Sequence, residues 1–213
     1  MTLTSPRTRF LGILTAALLT VVLYVALAAP SGPRSLRVFD PDRLAALELD
    51  MWQAYYAREN VRLFRGLVVS LHEQCRYPWL KAGIVAFHLA RAAATFGTAR
   101  DHYERVLPDL EAAYTIERDW VHGTFDPAAV ARAELAWWVA RRVPGRNSAD
   151  QIGALIADED ALLYEVPRER VMPSALLRAR AGRLRDDGGD HADWPAVRAL
   201  LVQSYRSLHA ALQ

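Results

Sequence analysis

The chain has 213 residues, with 26 lysine and arginine residues against 24 acidic ones, and a formal net charge of +2. This near balance excludes a polybasic nucleic-acid binder, because bulk phosphate binding needs a clear excess of cations, so no nucleic-acid partner is expected. The single cysteine, Cys75, excludes both an internal disulfide and a zinc cluster held by thiolates.

A stretch of twenty residues without a charge, FLGILTAALLTVVLYVALAA at residues 10–29, follows a short tail at residues 1–9. As a helix it measures roughly 30 Å, which is the thickness of the hydrocarbon core of a bilayer. The sequence therefore predicts a single-pass anchor in the cell membrane, with the lipid bilayer as its partner. A cleaved signal peptide is the alternative, because Arg7 and Arg9 form a basic region before the run and Ala26-Leu27-Ala28 resembles a cleavage site.

Basic residues flank this stretch on both sides, with Arg7 and Arg9 before it and Arg34, Arg37 and Arg43 after it. The positive-inside rule orients a membrane span by the difference between the two groups. Once the N-terminal amine is counted with Arg7 and Arg9, the positive charges on the two sides are nearly equal, so the side of the membrane that the rest of the chain faces stays open.

After a linker at residues 30–39, apolar residues recur at steps of three and four between proline, glycine and capping signals. The spacing predicts four helices within residues 40–143, at about 43–74, 79–96, 97–121 and 124–142. Pro108 is expected to kink the third of them. Short connections favour antiparallel neighbours, so an up-down four-helix bundle is expected.

Residues 144–213 begin at the clearest break in the sequence, Pro144-Gly145. Three further helices are predicted there, at about 148–164, 173–185 and 194–212. Since these helices bury too little surface alone, we expect them to form a C-terminal segment that packs on the bundle. No alternating β-branched run is present, so the predicted class is all-α.

A screen for catalytic motifs is negative, since the sequence has no nucleophile elbow, phosphate-binding glycine loop, EF-hand loop or CxxC pair. His72-Glu73 resembles the start of the HExxH zinc motif. The fifth position is Arg76, so the second imidazole that zinc requires is missing. No known catalytic chemistry is therefore assigned from motifs.

Four predicted helices each place one titratable side chain on their apolar stripe, namely Glu48, His88, Glu117 and Glu134. Inward carboxylates with an imidazole are the ligands of dinuclear metal sites in four-helix bundles. Such sites also use two Glu-x-x-His pairs, and this sequence has none. These four residues are therefore kept as metal-ligand candidates within an alternative hypothesis.

The favoured interpretation needs no cofactor: each buried acid is neutralised by a nearby arginine or by hydrogen bonds from tyrosine and tryptophan. The arginines expected to do this are Arg91, Arg118, Arg141 and Arg142. Further along the chain, Arg178, Arg180, Arg183 and Arg185 are expected to form a solvated face, with contact to lipid headgroups as the alternative.

The predicted function is that of a membrane-anchored helical accessory or scaffold protein that binds a protein partner. The alternative is a membrane-tethered enzyme with a carboxylate and histidine metal site inside the bundle. In that case Glu48, His88, Glu117 and Glu134 would hold a dinuclear metal centre.

Overall fold

The computed structural model describes the backbone of residues 6–213 and the side chains from Leu14 onward. This part of the chain consists of nine α-helices and two short 3-10 helices, with no strand, so the predicted all-α class is confirmed. The α-helices are α1 (Pro6–Leu27), α2 (Pro41–Tyr56), α3 (Asn60–Gln74), α4 (Trp79–Thr98), α5 (Leu107–Val121), α6 (Pro127–Ala140), α7 (Ala149–Tyr164), α8 (Arg168–Gly188) and α9 (Trp194–Leu212).

No helix in the described part of the chain is both long enough and apolar enough to cross a membrane. The predicted anchor at residues 10–29 falls partly outside that part, because the side chains of residues 10–13 are not among those described. Residues 1–5 of the predicted N-terminal tail lie outside it as well. Helix α1 packs against α4.

The single helix predicted over residues 43–74 is wrong, because the chain turns between α2 and α3. Arg58 adopts the left-handed conformation, with φ of 59°. The amide of Glu59 then donates to the carbonyl of Ala54 at 2.9 Å. The same hydrogen bond ends helices in which glycine occupies the left-handed position. Because an arginine occupies the left-handed position, the residue type gave no stop signal.

The kink predicted at Pro108 is also wrong. Pro108 lies in the first turn of α5, where a missing backbone N–H leaves no helical hydrogen bond unmade. Helix α4 continues to Thr98, and a 3-10 helix at Tyr103–Val106 leads into α5. Residues 40–143 therefore contain five α-helices rather than four.

The helical bundle itself is confirmed, and its helices are arranged as a closed ring. Each helix from α2 to α8 packs against the next one in the chain, and α9 packs back against α2. An ion pair between Arg206 of α9 and Asp42 of α2, at 2.7 Å, lies at this closure. Closure of the ring brings together side chains that are far apart in sequence, such as Asp42 and Arg206.

The apolar core is distributed between neighbouring helices around this ring. One cluster joins α4, α5 and α6 through Phe96, Leu110 and Val130, and a second joins α7, α8 and α9. Since the apolar side chains fill the seams between adjacent helices, several polar side chains are left to face the middle.

Candidate functional site

A cavity of about 440 Å³ lies between α2, α3, α4, α6 and α8. We call it the aromatic cavity, because six of its lining residues are Trp52, Tyr55, Tyr56, Phe96, Trp137 and Trp138. Its charged lining residues are Glu48, Glu134, Arg141, Arg142, Arg178 and Asp186. Aromatic walls with a few fixed polar groups are typical of binding sites.

Helical periodicity explains how α2 and α6 build two of these walls. Positions three, four and seven residues apart lie on one face of a helix. On α2 that face carries Glu48, Trp52 and Tyr55, and on α6 it carries Glu134 and Trp138. Each helix therefore presents an acid one turn before a tryptophan.

Glu48 is only 5% exposed and forms a buried ion pair with Arg178. The Nε and Nη2 atoms of Arg178 donate to Oε1 of Glu48 at 3.0 and 2.6 Å. The hydroxyl of Tyr205 donates to its other oxygen. The expectation that an arginine neutralises this acid is met, but the arginine comes from α8, where a solvated face was predicted.

Glu134 and Glu159 share one tyrosine hydroxyl. The Tyr114 oxygen lies 2.9 Å from Oε2 of Glu134 and 3.0 Å from Oε1 of Glu159. A phenol has one proton to donate, so one of the two carboxyl groups must itself carry a proton for both contacts to be hydrogen bonds. The indole of Trp137 donates to the remaining oxygen of Glu159.

Burial decides which charges exist inside the ring at neutral pH. Burial and the neighbouring charge of Glu159 raise the pKa of Glu134 to about 8. The same two causes raise the pKa of Asp160 to about 8, and burial raises that of Glu117 to about 7. Protons rather than arginines therefore neutralise much of this acidic interior.

Two of the arginines that line the aromatic cavity, Arg141 and Arg142, are held by contacts with other groups of the chain. Arg141 donates to Asp186 at 2.7 Å and to the hydroxyl of Tyr56 at 3.1 Å. Arg142 donates to a backbone carbonyl, and its guanidinium lies 3.8 Å from the centre of the Phe96 ring. Both guanidinium groups are therefore fixed by contacts within the chain.

The four metal-ligand candidates do not converge. Glu48 pairs with Arg178 and Glu134 with Tyr114, as described above. Oε1 of Glu117 lies 3.9 Å from the Sγ atom of Cys75. Nδ1 of His88 lies 2.8 Å from Asp109, which Arg91 also contacts. Within the described residues, no group of three or more His, Cys, Asp or Glu side chains is arranged to hold a metal ion.

Sequence reasoning missed the contributions of the C-terminal segment, namely Glu159, Asp160, Arg178 and Tyr205. A signal was present for two of them. Glu159 follows the buried Ile152 and Ile156 at helical spacing, and Arg178 follows the buried Val171 and Ala175 in the same way. A polar residue in register with an apolar stripe marks an inward position.

The one cysteine of the chain, Cys75, is not among the residues that line the aromatic cavity. The thiol of Cys75 is the obvious nucleophile inside the ring, but burial and the neighbouring Glu117 raise its pKa well above the usual range. A thiol kept protonated in this way is a poor nucleophile.

No protein-family model matches the chain, and neither the curated proteins nor the solved structures give a match.

Proposed function

We propose that this chain is a non-enzymatic, membrane-anchored binding protein whose aromatic cavity receives part of a protein partner. The observation that carries the proposal is the cavity of about 440 Å³ with its tryptophan and tyrosine walls. Tryptophan, tyrosine and arginine are the residue types that dominate binding energy at protein interfaces. All three line this cavity.

Exposed apolar side chains beside the cavity favour a protein as the occupant. Tyr55 of the cavity wall is 43% exposed, and on α3 the exposed Phe64 lies three positions before the lining residue Leu67, with the exposed Val61 three positions before Phe64. Apolar side chains grouped on a surface are a common mark of protein contact. The binding surface of the proposal therefore extends from the cavity onto α3.

The proposed anchor is the uncharged stretch at residues 10–29. In its support, the large apolar side chains of α1 between Leu14 and Leu27 are each more than half exposed. The described side chains of α1 cover about 20 Å of helix, which is shorter than a bilayer core of roughly 30 Å. The four preceding apolar residues, 10–13, supply the missing length in this proposal.

Site-specific photo-crosslinking in the native membrane tests the proposal. A benzophenone amino acid at Tyr55 should give a discrete adduct with a protein partner, whereas the same group at exposed Gln203 of α9 should give none. The variant Ala93→Phe fills the cavity from α4 without removing a hydrogen bond, and should abolish the adduct at Tyr55. Equal adducts at both positions, or an adduct unaffected by Ala93→Phe, would refute docking at the cavity.

A further inference from the structure

We infer that the aromatic cavity binds an alkylammonium group, with the carboxyl group of Glu134 as its counter-ion and the aromatic side chains as its walls. This deepens the proposed function, because a partner would present such a group on a lysine side chain. A free amine carries the same chemistry, and the experiment below separates the two sources.

The walls of the cavity suit a cation. The face of an aromatic ring carries negative potential, which attracts an ammonium group held within about 6 Å of it. Three such rings belong to α2 and α6, namely those of Trp52, Tyr55 and Trp138, whereas the guanidinium of Arg178 already lies 5.4 Å from the centre of the Trp137 ring. The same walls bury the methylene chain that carries an alkylammonium group.

Glu134 has a carboxyl oxygen available for such a ligand. Its Oε2 atom contacts the hydroxyl of Tyr114 at 2.9 Å. Its Oε1 atom has no hydrogen-bond partner among the described residues, and Glu134 lines the cavity. An ammonium donor would occupy this vacant acceptor and form a charge-assisted hydrogen bond.

The groups around Glu134 also favour an added cation. Tyr114 and Glu117 approach it from α5, Glu159 from α7 and Arg178 from α8. The single cation in this set, Arg178, is already paired with Glu48 of α2. A bound ammonium would therefore replace the proton that Glu134 otherwise retains.

Arg142 supports the competing possibility of an anionic ligand. It lines the same cavity, and the described residues place no carboxylate against it. Its guanidinium is exposed and stacks on Phe96, whereas Glu134 is half-buried within the ring. Glu134 has only a proton as its counter-charge, because the nearby cation Arg178 is paired with Glu48, so we favour the cation.

Three probes of nearly equal shape test the inference: 4-phenylbutylamine, 4-phenylbutan-1-ol and 4-phenylbutyrate. Titration calorimetry and tryptophan fluorescence would follow their binding to the full-length chain in nanodiscs, with empty nanodiscs as the blank. The amine should bind at least about tenfold more tightly than the alcohol, as one charged hydrogen bond provides. The variant Glu134→Gln should remove this preference, while Glu169→Gln on the exposed side of α8 should keep it.

Proton release gives an independent readout. Because the pKa of Glu134 is about 8, binding of the amine at pH 7 should release close to one proton, measured in buffers of different ionisation enthalpy. Affinity for the amine should rise about tenfold from pH 7 to pH 9, since the ligand itself stays protonated up to a pKa of roughly 10.4. In Glu134→Gln, both the proton release and the rise in affinity should disappear.

Two outcomes would overturn the inference. Equal binding of amine and alcohol would mean that the cavity recognises only an apolar body. Tightest binding of 4-phenylbutyrate, lost in Arg142→Gln, would identify an anion site at Arg142 instead. Either result leaves the crosslink at Tyr55 intact, so failure of this inference is distinguishable from failure of the proposed function.

Acetylation of the partner separates the two sources of the cation. Once the crosslinked partner has been identified, acetylation of its lysines should abolish the Tyr55 adduct if a lysine side chain fills the cavity. An adduct that survives acetylation, together with the amine preference, would assign the site to a free amine. Both results uphold alkylammonium recognition by the cavity.

Discussion

Glu48 of α2 and Arg178 of α8 lie 130 positions apart in the chain and form a buried ion pair inside the ring. The side chain of Glu48 is 6% exposed and that of Arg178 is 25% exposed. With Tyr205 donating to the same carboxylate, the pair links α2, α8 and α9. It therefore holds together helices that the order of the sequence separates.

Removing one member of this pair should be strongly destabilising. Glu48→Ala leaves the guanidinium of Arg178 buried without its counter-ion, and we expect the free energy of unfolding to fall by about 3–5 kcal/mol. Glu48→Gln should recover part of this, because an amide oxygen still accepts a hydrogen bond. Urea unfolding followed by circular dichroism measures both changes.

The matched control for that experiment is the exposed ion pair of Asp42 with Arg206, which also joins α2 to the C-terminal segment. Asp42→Ala should leave the free energy of unfolding nearly unchanged, because both side chains of this pair are exposed to solvent. A loss as large as that of Glu48→Ala would mean that helix contact, and not burial of the pair, determines the effect.

Stability should fall as pH rises between about 4.5 and about 8. The pKa of Glu134 is raised in the folded state, so folded chains retain a proton that unfolded chains have lost across this range. Each such group lowers the free energy of unfolding by about 1.4 kcal/mol per pH unit there, and the loss ends above the folded pKa. Urea titrations from pH 5.5 to 8.5 should show this decrease in the free energy of unfolding. In Glu134→Gln the slope should be smaller by about 1.4 kcal/mol per pH unit, which corresponds to one proton. A slope of the opposite sign would exclude a protonated acid in the core.

Tyr114→Phe should alter both stability and titration. The change removes the hydroxyl that Glu134 and Glu159 share, and we expect unfolding to become easier by about 1–3 kcal/mol. Because that hydrogen bond lowers the pKa of Glu134, its loss should move the pKa upward. Carbon NMR of the glutamate carboxyl groups as a function of pH measures this change in pKa directly. Tyr103→Phe serves as the control, since its hydroxyl donates to a backbone carbonyl on the surface.

Closure of the ring should depend on α9. Leu201 is fully buried, and Leu201→Ala should lower the free energy of unfolding by about 2–5 kcal/mol through lost contacts and the cavity left behind. Gln203→Ala, two residues further along and exposed, should be nearly neutral. Ending the chain at Ala192 should abolish cooperative thermal unfolding. If calorimetry still showed one sharp transition for that shortened chain, the remaining helices would be stable without closure.

The proposed anchor predicts that the full-length protein stays in the membrane pellet after extraction with alkaline carbonate. Replacing Val22 in the middle of the stretch by arginine should release it, because a charge at the centre of a span opposes insertion by about 2.5–3.5 kcal/mol. The exchange Val22→Leu is the control and should leave the protein in the pellet. A shortened soluble form that begins near Ala29 would identify the stretch as a cleaved signal peptide instead.

Local patterns in the sequence were sufficient for the all-α class and for the bounds of some helices, but not for the break between α2 and α3 or for the start of α8 at Arg168. The capping serine Ser148 begins α7 with reciprocal hydrogen bonds to Gln151, and α9 spans Trp194–Leu212 as its apolar stripe predicts. The inward positions of Glu48 and Glu134 also follow from their aromatic neighbours at helical spacing. Such features depend on residues within one or two turns, and those are adjacent in the sequence.

Tertiary structure alone decided how those inward groups are neutralised. The partner of Glu48 is Arg178, on α8, because the ring closes through α9, and no short spacing records that closure. Glu134 retains a proton because other helices bury it beside Glu159, which makes its charge a property of the assembled interior. The turn at Arg58 is likewise imposed on a residue with no intrinsic preference for it. Periodicity therefore determines which face of a helix points inward, whereas distances between helices determine what each inward group meets.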